Sequence, residues 1–324
     1  MTAATPPPIE LTVPLPCFSV DDPGDWGFVL DRARLLDTVG VDKLAVSDHV
    51  VFGERLDEYG RPELGGQSGG KQPTGPDGHW LEPMTLLSVA AGATNRIRLA
   101  TNILLVALRR PVVLAKSIAT LDQLSGGRFD LGVGVGWQRE EYDAAGLDFE
   151  QRGKLLDECL AVCQTFWTQT RADYSSPYLQ FENIHMMPKP LQGGGIPVWV
   201  SGRINAAVVR RIARFGIGWI PWGDDAANLP EAVAKLRAAL EEAGRDPAGL
   251  RVAGHLDVVR RDDKSVDIEA TVQNVPELIA AGVTDFRYQQ RLPQDNDAVG
   301  ELLTDLVDAF RSAAGREPRK DDIA

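Results

Sequence analysis

Residues Ile97 to Trp137, IRLATNILLVALRRPVVLAKSIATLDQLSGGRFDLGVGVGW, decide how this chain is to be read. The opening IRLATNIL is short, apolar and β-branched, and the closing FDLGVGVGW alternates apolar residues with glycine. Between them, Pro111 stands where a helix begins and Gly126-Gly127 where it ends. Leu114, Ile118 and Leu121 recur at helical spacing, so the middle segment has one apolar face. Two buried strands joined by an amphipathic helix form a parallel unit whose helix crosses one face of the sheet. Chemistry in such units gathers where the strands end. The strand ends here are Thr101-Asn102-Ile103 and Gly134-Val135-Gly136-Trp137.

Outward from this unit the same alternation repeats. Residues 11–19 read as a first strand, Asp25 as the cap of a helix running to about Thr38, and residues 43–46 as a second strand ending in Ser47-Asp48-His49. Between Gly60 and Gly78 lie seven glycines and three prolines with no apolar periodicity, which makes residues 54–79 a long loop over the strand ends. Residues 83–93 are a helix. After Trp137, QREEYDAAG reads as a short surface helix and residues 151–168 as a longer one. Residues 173–190 form an excursion with a small hairpin around Tyr178. Strand and helix then alternate through 196–201, 205–215, 218–221, a helix opened in capping-box spacing by Asn228, Pro230 and Glu231, 251–259, 276–281, 283–288 and 299–314. Eight strand-then-helix units predict an α/β fold, a single (β/α)8 barrel over residues 1–324 with frayed tails at 1–8 and 315–324.

Composition narrows the function. A formal charge of −12 disfavours a polyanionic partner, because nucleic-acid binding draws on lysine and arginine, so neither nucleic acid nor an anionic membrane surface is expected. Three cysteines, Cys17, Cys159 and Cys163, read as reduced core residues of a cytoplasmic protein. The start MTAATPPPIE has no basic region and no apolar run, hence no secretory signal is expected, and no membrane span either. The four histidines show no metal-binding spacing, no metal is expected, and GxSxG is absent. Gly132, Gly134 and Gly136 do not match GxGxxG, and they read as points where backbone approaches closely.

Several candidate residues have two readings. Asp48-His49 is either a turn aspartate with an incidental histidine or, at a strand's carboxyl end, a proton-handling pair. Ser201-Gly202-Arg203 is either a routine strand-to-helix turn or an anion site made of free amides and the helix dipole. Trp137 and Trp222 either wall a pocket or fill core. Arg287 either faces the pocket or forms a surface ion pair.

The stretch from Leu99 to Trp137 resembles the central signature of the luciferase-like monooxygenase superfamily, and so do VSDHV (46–50), FENIHMMPKPLQGGGIPVWVSGR (181–203) and GIGWIP (216–221). That resemblance implies a TIM-barrel oxidoreductase using reduced flavin or the deazaflavin coenzyme F420, with an insertion near 173–190. It implies that His49 is the acid or base, with Asp48 orienting it or touching the coenzyme. It further implies a cis peptide at Asn102-Ile103 backing the coenzyme ring, with Thr101, Gly136 and Trp137 beside it and Ser201, Gly202 and Arg203 on the coenzyme phosphate. The chain departs from the family at Ala107, Arg110, Trp137 and Ile217. In the glucose-6-phosphate dehydrogenase branch a glutamate falls where Trp137 stands, so a sugar phosphate is not the expected substrate. The expected activity is F420-dependent hydride transfer to or from a small organic substrate. The alternatives are an FMNH2-dependent monooxygenase using oxygen and a non-catalytic flavin carrier. A homodimer is the expected assembly.

Overall fold

The computed structural model describes residues 7–290, 292–293 and 295–317, so most of the two tails expected to fray lies outside the described residues. Eight strands close into a barrel: β1 (Glu10–Pro14), β2 (Lys43–Val46), β3 (Arg98–Thr101), β4 (Phe129–Val133), β5 (Val198–Ser201), β6 (Gly216–Ile220), β7 (Arg251–Leu256) and β8 (Asp285–Tyr288). Every neighbouring pair is parallel and follows chain order, and β8 closes the ring on β1 through Leu11 opposite Phe286. The crossovers are α1 (Gly27–Thr38), α2 (Pro83–Ala93), α3 (Pro111–Leu124), then a short α4 (Arg139–Ala144) and α5 (Arg152–Thr168). They continue with α6 (Ala206–Phe215), α7 (Leu229–Glu242) and α8 (Val275–Ala281), and α9 (Asn296–Ala313) follows β8. The expected (β/α)8 architecture is therefore the one observed. Among the described residues no helix is long and apolar enough to cross a membrane.

Side chains alternate across each strand. Leu11, Val13, Leu44, Val46, Leu131, Val133, Phe286 and Tyr288 face outward into one continuous apolar layer with residues such as Val29, Leu36, Leu87, Ile118 and Phe310 of the helices. The inward positions are different, and the apolar pattern did not announce them. Lys43, only 1% exposed, sits inside the barrel with Nζ 2.8 Å from Glu10 Oε2, 3.1 Å from Asp130 Oδ2 and 3.8 Å from Asp285 Oδ2. Arg98 pairs with Asp130, and Arg287 Nη2 lies 3.0 Å from Asp285 Oδ2. Burial alone pushes the Lys43 pKa down, but Asp285, Asp130 and Glu10 outweigh it and the net direction is up. For Asp130 and Asp285 burial pushes up, and the cations beside them win, holding both carboxyls below the usual range.

Several local expectations are corrected. Trp26, not Asp25, is the capping residue of α1, and Asp25 instead accepts from the Gly27 amide at 2.8 Å. The first strand stops at Pro14, and Phe18–Ser19 pairs antiparallel with His79–Trp80. Asn228 caps no helix amide, its Nδ2 donating instead to Glu231 Oε2 at 2.6 Å. The 173–190 excursion does hold a hairpin, Ala172–Ser175 against Gln180–Ile184. Up to Gly78 the 54–79 segment has two short 3-10 turns, Leu56–Gly60 and Pro62–Leu64, and His79 opens the short strand. Cys17, Cys159 and Cys163 are free and buried.

Removing one member of a buried ion cluster strands the others. Lys43→Met is expected to cost about 3–5 kcal/mol in denaturant unfolding. Because the folded values of Asp130 and Asp285 are depressed, their stabilisation is complete above the unfolded-chain value of about 4 and is lost as pH falls through the folded values. Melting temperature recorded from pH 6 down to pH 3 should therefore fall more steeply for wild type than for Lys43→Met, in which the depression is weaker.

Candidate functional site

The carboxyl end of β2 turns into Asp48 and His49, and the two side chains go to different partners. Asp48, 5% exposed, accepts from the Leu105 amide at 2.8 Å and from Arg109 Nη1 at 2.6 Å and Nη2 at 3.1 Å. Arg109 also reaches Glu82 Oε1 at 2.9 Å. Asp48 thus staples the loop after β3 to the end of β2, and the expectation that it orients His49 is corrected. The residue on His49 is Glu141, whose Oε2 lies 3.3 Å from His49 Nδ1 while its Oε1 accepts from the Val50 amide at 2.8 Å. With Nδ1 donating to Glu141, Nε2 is the nitrogen left to exchange a proton. Glu141 belongs to the run read as a surface helix. Tyr142, the one aromatic residue there, marks the buried side of α4 and was the available signal.

Aromatic rings enclose His49. Ring centroids of Phe52, Trp80 and Trp137 lie 4.5, 4.9 and 6.0 Å from its own, and Phe18 stacks on Trp80 at 4.4 Å. The 54–79 segment lies over this wall as expected. Trp222 Nε1 donates to Gly65 O and Gly66 O, both at 3.1 Å, and Tyr59 sits 5.4 Å from Trp137.

At the end of β3 the peptide Asn102-Ile103 is cis. Thr101 Oγ1 donates to Gly132 O at 2.8 Å and accepts from Gly132 N at 2.9 Å, so its hydroxyl stitches β3 to β4. Asn102 Oδ1 accepts from Arg287, which is buried, so the surface-pair reading of Arg287 is overturned. Ile103 packs on the Trp199, Ile220 and Ala253 cluster. A Cβ on Gly132 would stand 2.1 Å from Thr101 O, on Gly134 2.8 Å from Ile103 and on Gly136 2.8 Å from Leu105, which explains the glycines as close approach. His255, opposite Arg287 in the β7–β8 register, has its pKa lowered by burial first and Arg287 second.

The Ser201-Gly202-Arg203 turn has part of its amide capacity already engaged, Gly202 N donating to Ile220 O at 3.2 Å. Asn205 Oδ1 accepts from Ala207 N and Val208 N at 3.0 Å each, and Asp225 Oδ2 takes Ile204 N at 2.6 Å. What the turn offers an anion is Arg203, which lies over Gly223 and has no carboxylate partner among the described residues.

The buried Trp137 Nε1 and both amide atoms of Gln138 have no hydrogen-bond partner, and the segment that follows β4 meets the cis bulge with bare backbone at Gly134 and Gly136. Unmet buried donors and acceptors beside a glycine-floored mouth fit a planar ring with a polar edge. The phosphate end fits through the Arg203 side chain. Among the described residues no group of three or more His, Cys, Asp or Glu is placed to hold a metal ion.

An eight-stranded parallel barrel thus carries a histidine–carboxylate pair, an aromatic wall and a cis bulge at its strand ends. The luciferase-like monooxygenase family model matches residues 18–317, and the chain belongs to that family. It is 39% identical over 184 residues to an uncharacterized protein of Mycobacterium tuberculosis, the match taking in 57% of this chain and 64%, less than two thirds, of the relative. The fold resembles that of the coenzyme F420 dependent tetrahydromethanopterin reductase of Methanopyrus kandleri, with a TM-score of 0.66, 18% identity and coverage of 94% and 99% of the two chains. It also resembles the FMN-bound oxygenating constituent of 3,6-diketocamphane monooxygenase from Pseudomonas putida, with a TM-score of 0.70, 16% identity and coverage of 96% and 100%.

Asp48→Asn is expected to destabilise the fold by about 3–5 kcal/mol, since it leaves Arg109 without its buried partner. The nitrogen NMR signals of His49 should be unmoved by it and should change in Glu141→Leu. The reverse pattern would return the orienting role to Asp48.

Proposed function

We propose that this chain is a coenzyme F420-dependent oxidoreductase exchanging hydride with a small, uncharged organic alcohol or carbonyl compound. The observation that carries the reading is the His49–Glu141 pair, its imidazole half-buried among Phe52, Trp80 and Trp137 at the barrel mouth. When bound, the deazaflavin ring supplies the hydride donor or acceptor. The protein does the rest. Asn102, Ile103 and the glycines in and just after β4 form the surface for the ring, Arg203 meets the phosphate, and Trp137 and Trp222 carry the loop that keeps water out. His49 Nε2 takes the proton from an alcohol hydroxyl, or returns it to a carbonyl oxygen, while Glu141 fixes the ring and offsets the charge that develops on it.

The substrate is written as uncharged because, Arg203 being assigned to the coenzyme phosphate, three other arginines near the mouth are already engaged. Arg109 is held by Asp48 and Glu82, Arg55 by Glu140 and Glu58, and Arg287 by Asp285 and Asn102. A second reading, an FMNH2-dependent monooxygenase acting on an apolar substrate, is favoured by the water-poor aromatic enclosure itself.

Titration of the protein with F420 and with FMN, followed by absorbance and fluorescence, separates the two readings. F420 is expected to bind more tightly, and tighter FMN binding with oxygen-dependent turnover would favour the second. His49→Ala should retain coenzyme and lose about 10²- to 10⁴-fold in kcat on an alcohol panel. Unchanged kcat in that variant, or coenzyme binding with no turnover by wild type on any substrate, would defeat the proton-transfer assignment.

A further inference from the structure

Unmet hydrogen-bonding capacity is concentrated at one place in the molecule. Among the described residues, ten buried side-chain nitrogen or oxygen atoms have no hydrogen-bond partner, and four of the ten belong to residues 137–140. Four of the ten are single atoms of groups bonded elsewhere, on Arg98, Asp130, Glu140 and Arg152: Glu140 reaches Arg55 through its other oxygen, and Arg98 reaches Asp130 through Nη2. Gln138 is different, because both Oε1 and Nε2 are without a partner on a side chain that is 0% exposed. Burying both ends of a carboxamide with nothing to bond them costs stability, and native interiors keep few such groups unless something completes them.

The ordinary local explanation fails. Gln138 is the capping residue of α4, yet its side chain accepts no helix amide. Its place in the chain is informative. It follows Trp137, whose ring lies 6.0 Å from His49, and precedes by three residues Glu141, which bonds His49. A carboxamide presents an acceptor and a donor side by side, and its complement is an edge bearing a donor next to an acceptor. The imide edge of a flavin-type ring, an N3–H flanked by carbonyl oxygens, is such an edge, and FMN and F420 share it.

We propose that Gln138 is a coenzyme-binding residue whose carboxamide pairs with the imide edge of the ring. The proposal rests on the flavin-type reading above but not on the choice between F420 and FMN. It makes Gln138 a binding residue with no part in the proton transfer assigned to His49.

The test compares lumiflavin with 3-methyllumiflavin, which lacks the N3–H donor, by fluorescence titration of wild type and Gln138→Met. Wild type is expected to bind lumiflavin about tenfold more tightly, the worth of one hydrogen bond. Gln138→Met should bind the two alike, near the wild-type value for the methylated ring, and should melt no lower than wild type because it buries no orphaned amide. Each ratio is taken on one protein, so a reduced folded fraction cancels. An equal preference in the variant would mean that the methyl group clashes and that Gln138 makes no bond, which overturns the proposal. So would the absence of a preference in wild type, a measurement that needs no variant. If wild type binds lumiflavin, FMN and F420 not at all, the flavin-type reading falls with it, and that outcome is distinct from binding without preference.

Discussion

The barrel depends on charges that neutralise one another in its interior. Lys43, Arg98 and Arg287 face Glu10, Asp130 and Asp285 across the ring, and Lys43 touches carboxylates from three different strands. An isolated ion at such depth costs several kcal/mol, so each is tolerable only with its partners in place. The effect is to tie β1, β2, β4 and β8 together from inside, while the outward leucines, valines and phenylalanines fix the same strands to the helices. Trp199 adds its ring face, with the Lys43 ammonium 4.7 Å from its centroid.

This interior reaches the functional end of the molecule through Arg287. One side of its guanidinium holds Asp285, and the other donates to the Asn102 carboxamide at the cis bulge. The orientation of Asn102 at the mouth is thereby linked to the charge balance below it. A second line of support runs from Asp48 through Arg109 to the loop after β3. Between these two supports sit Ile103 and the bare backbone that follows β4, and across from them the His49–Glu141 pair. The mouth is therefore held by buried ionic contacts rather than by loop packing alone.

How much of this the sequence disclosed follows from what periodicity measures. Apolar alternation registers the face that meets the helices, and it placed all eight strands, the helix over 83–93 and the start of α3 at Pro111. It is silent about the inward face, where Lys43, Asp130 and Asp285 read as breaks in a pattern. The cis peptide and the strand-end location of His49 came from family likeness and position. Partner choice did not, because it depends on contacts between segments far apart in the chain: Glu141 is 92 residues from His49, and Arg109 is 61 from Asp48. Nor does a turn sequence reveal which neighbouring amides are engaged, as those of Ala207 and Ile204 are by Asn205 and Asp225.

The glycines in and just after β4 constrain how such a site can diversify. A side chain at position 132 would occupy the space of a carbonyl oxygen on the neighbouring strand, and those at 134 and 136 would displace Ile103 and Leu105. The floor of the cup is thus written in main chain and offers natural variation nothing to exchange. Selectivity for one molecule over another has to be composed on the rim, in the segments that follow the strands, where residues are replaced without disturbing the barrel beneath.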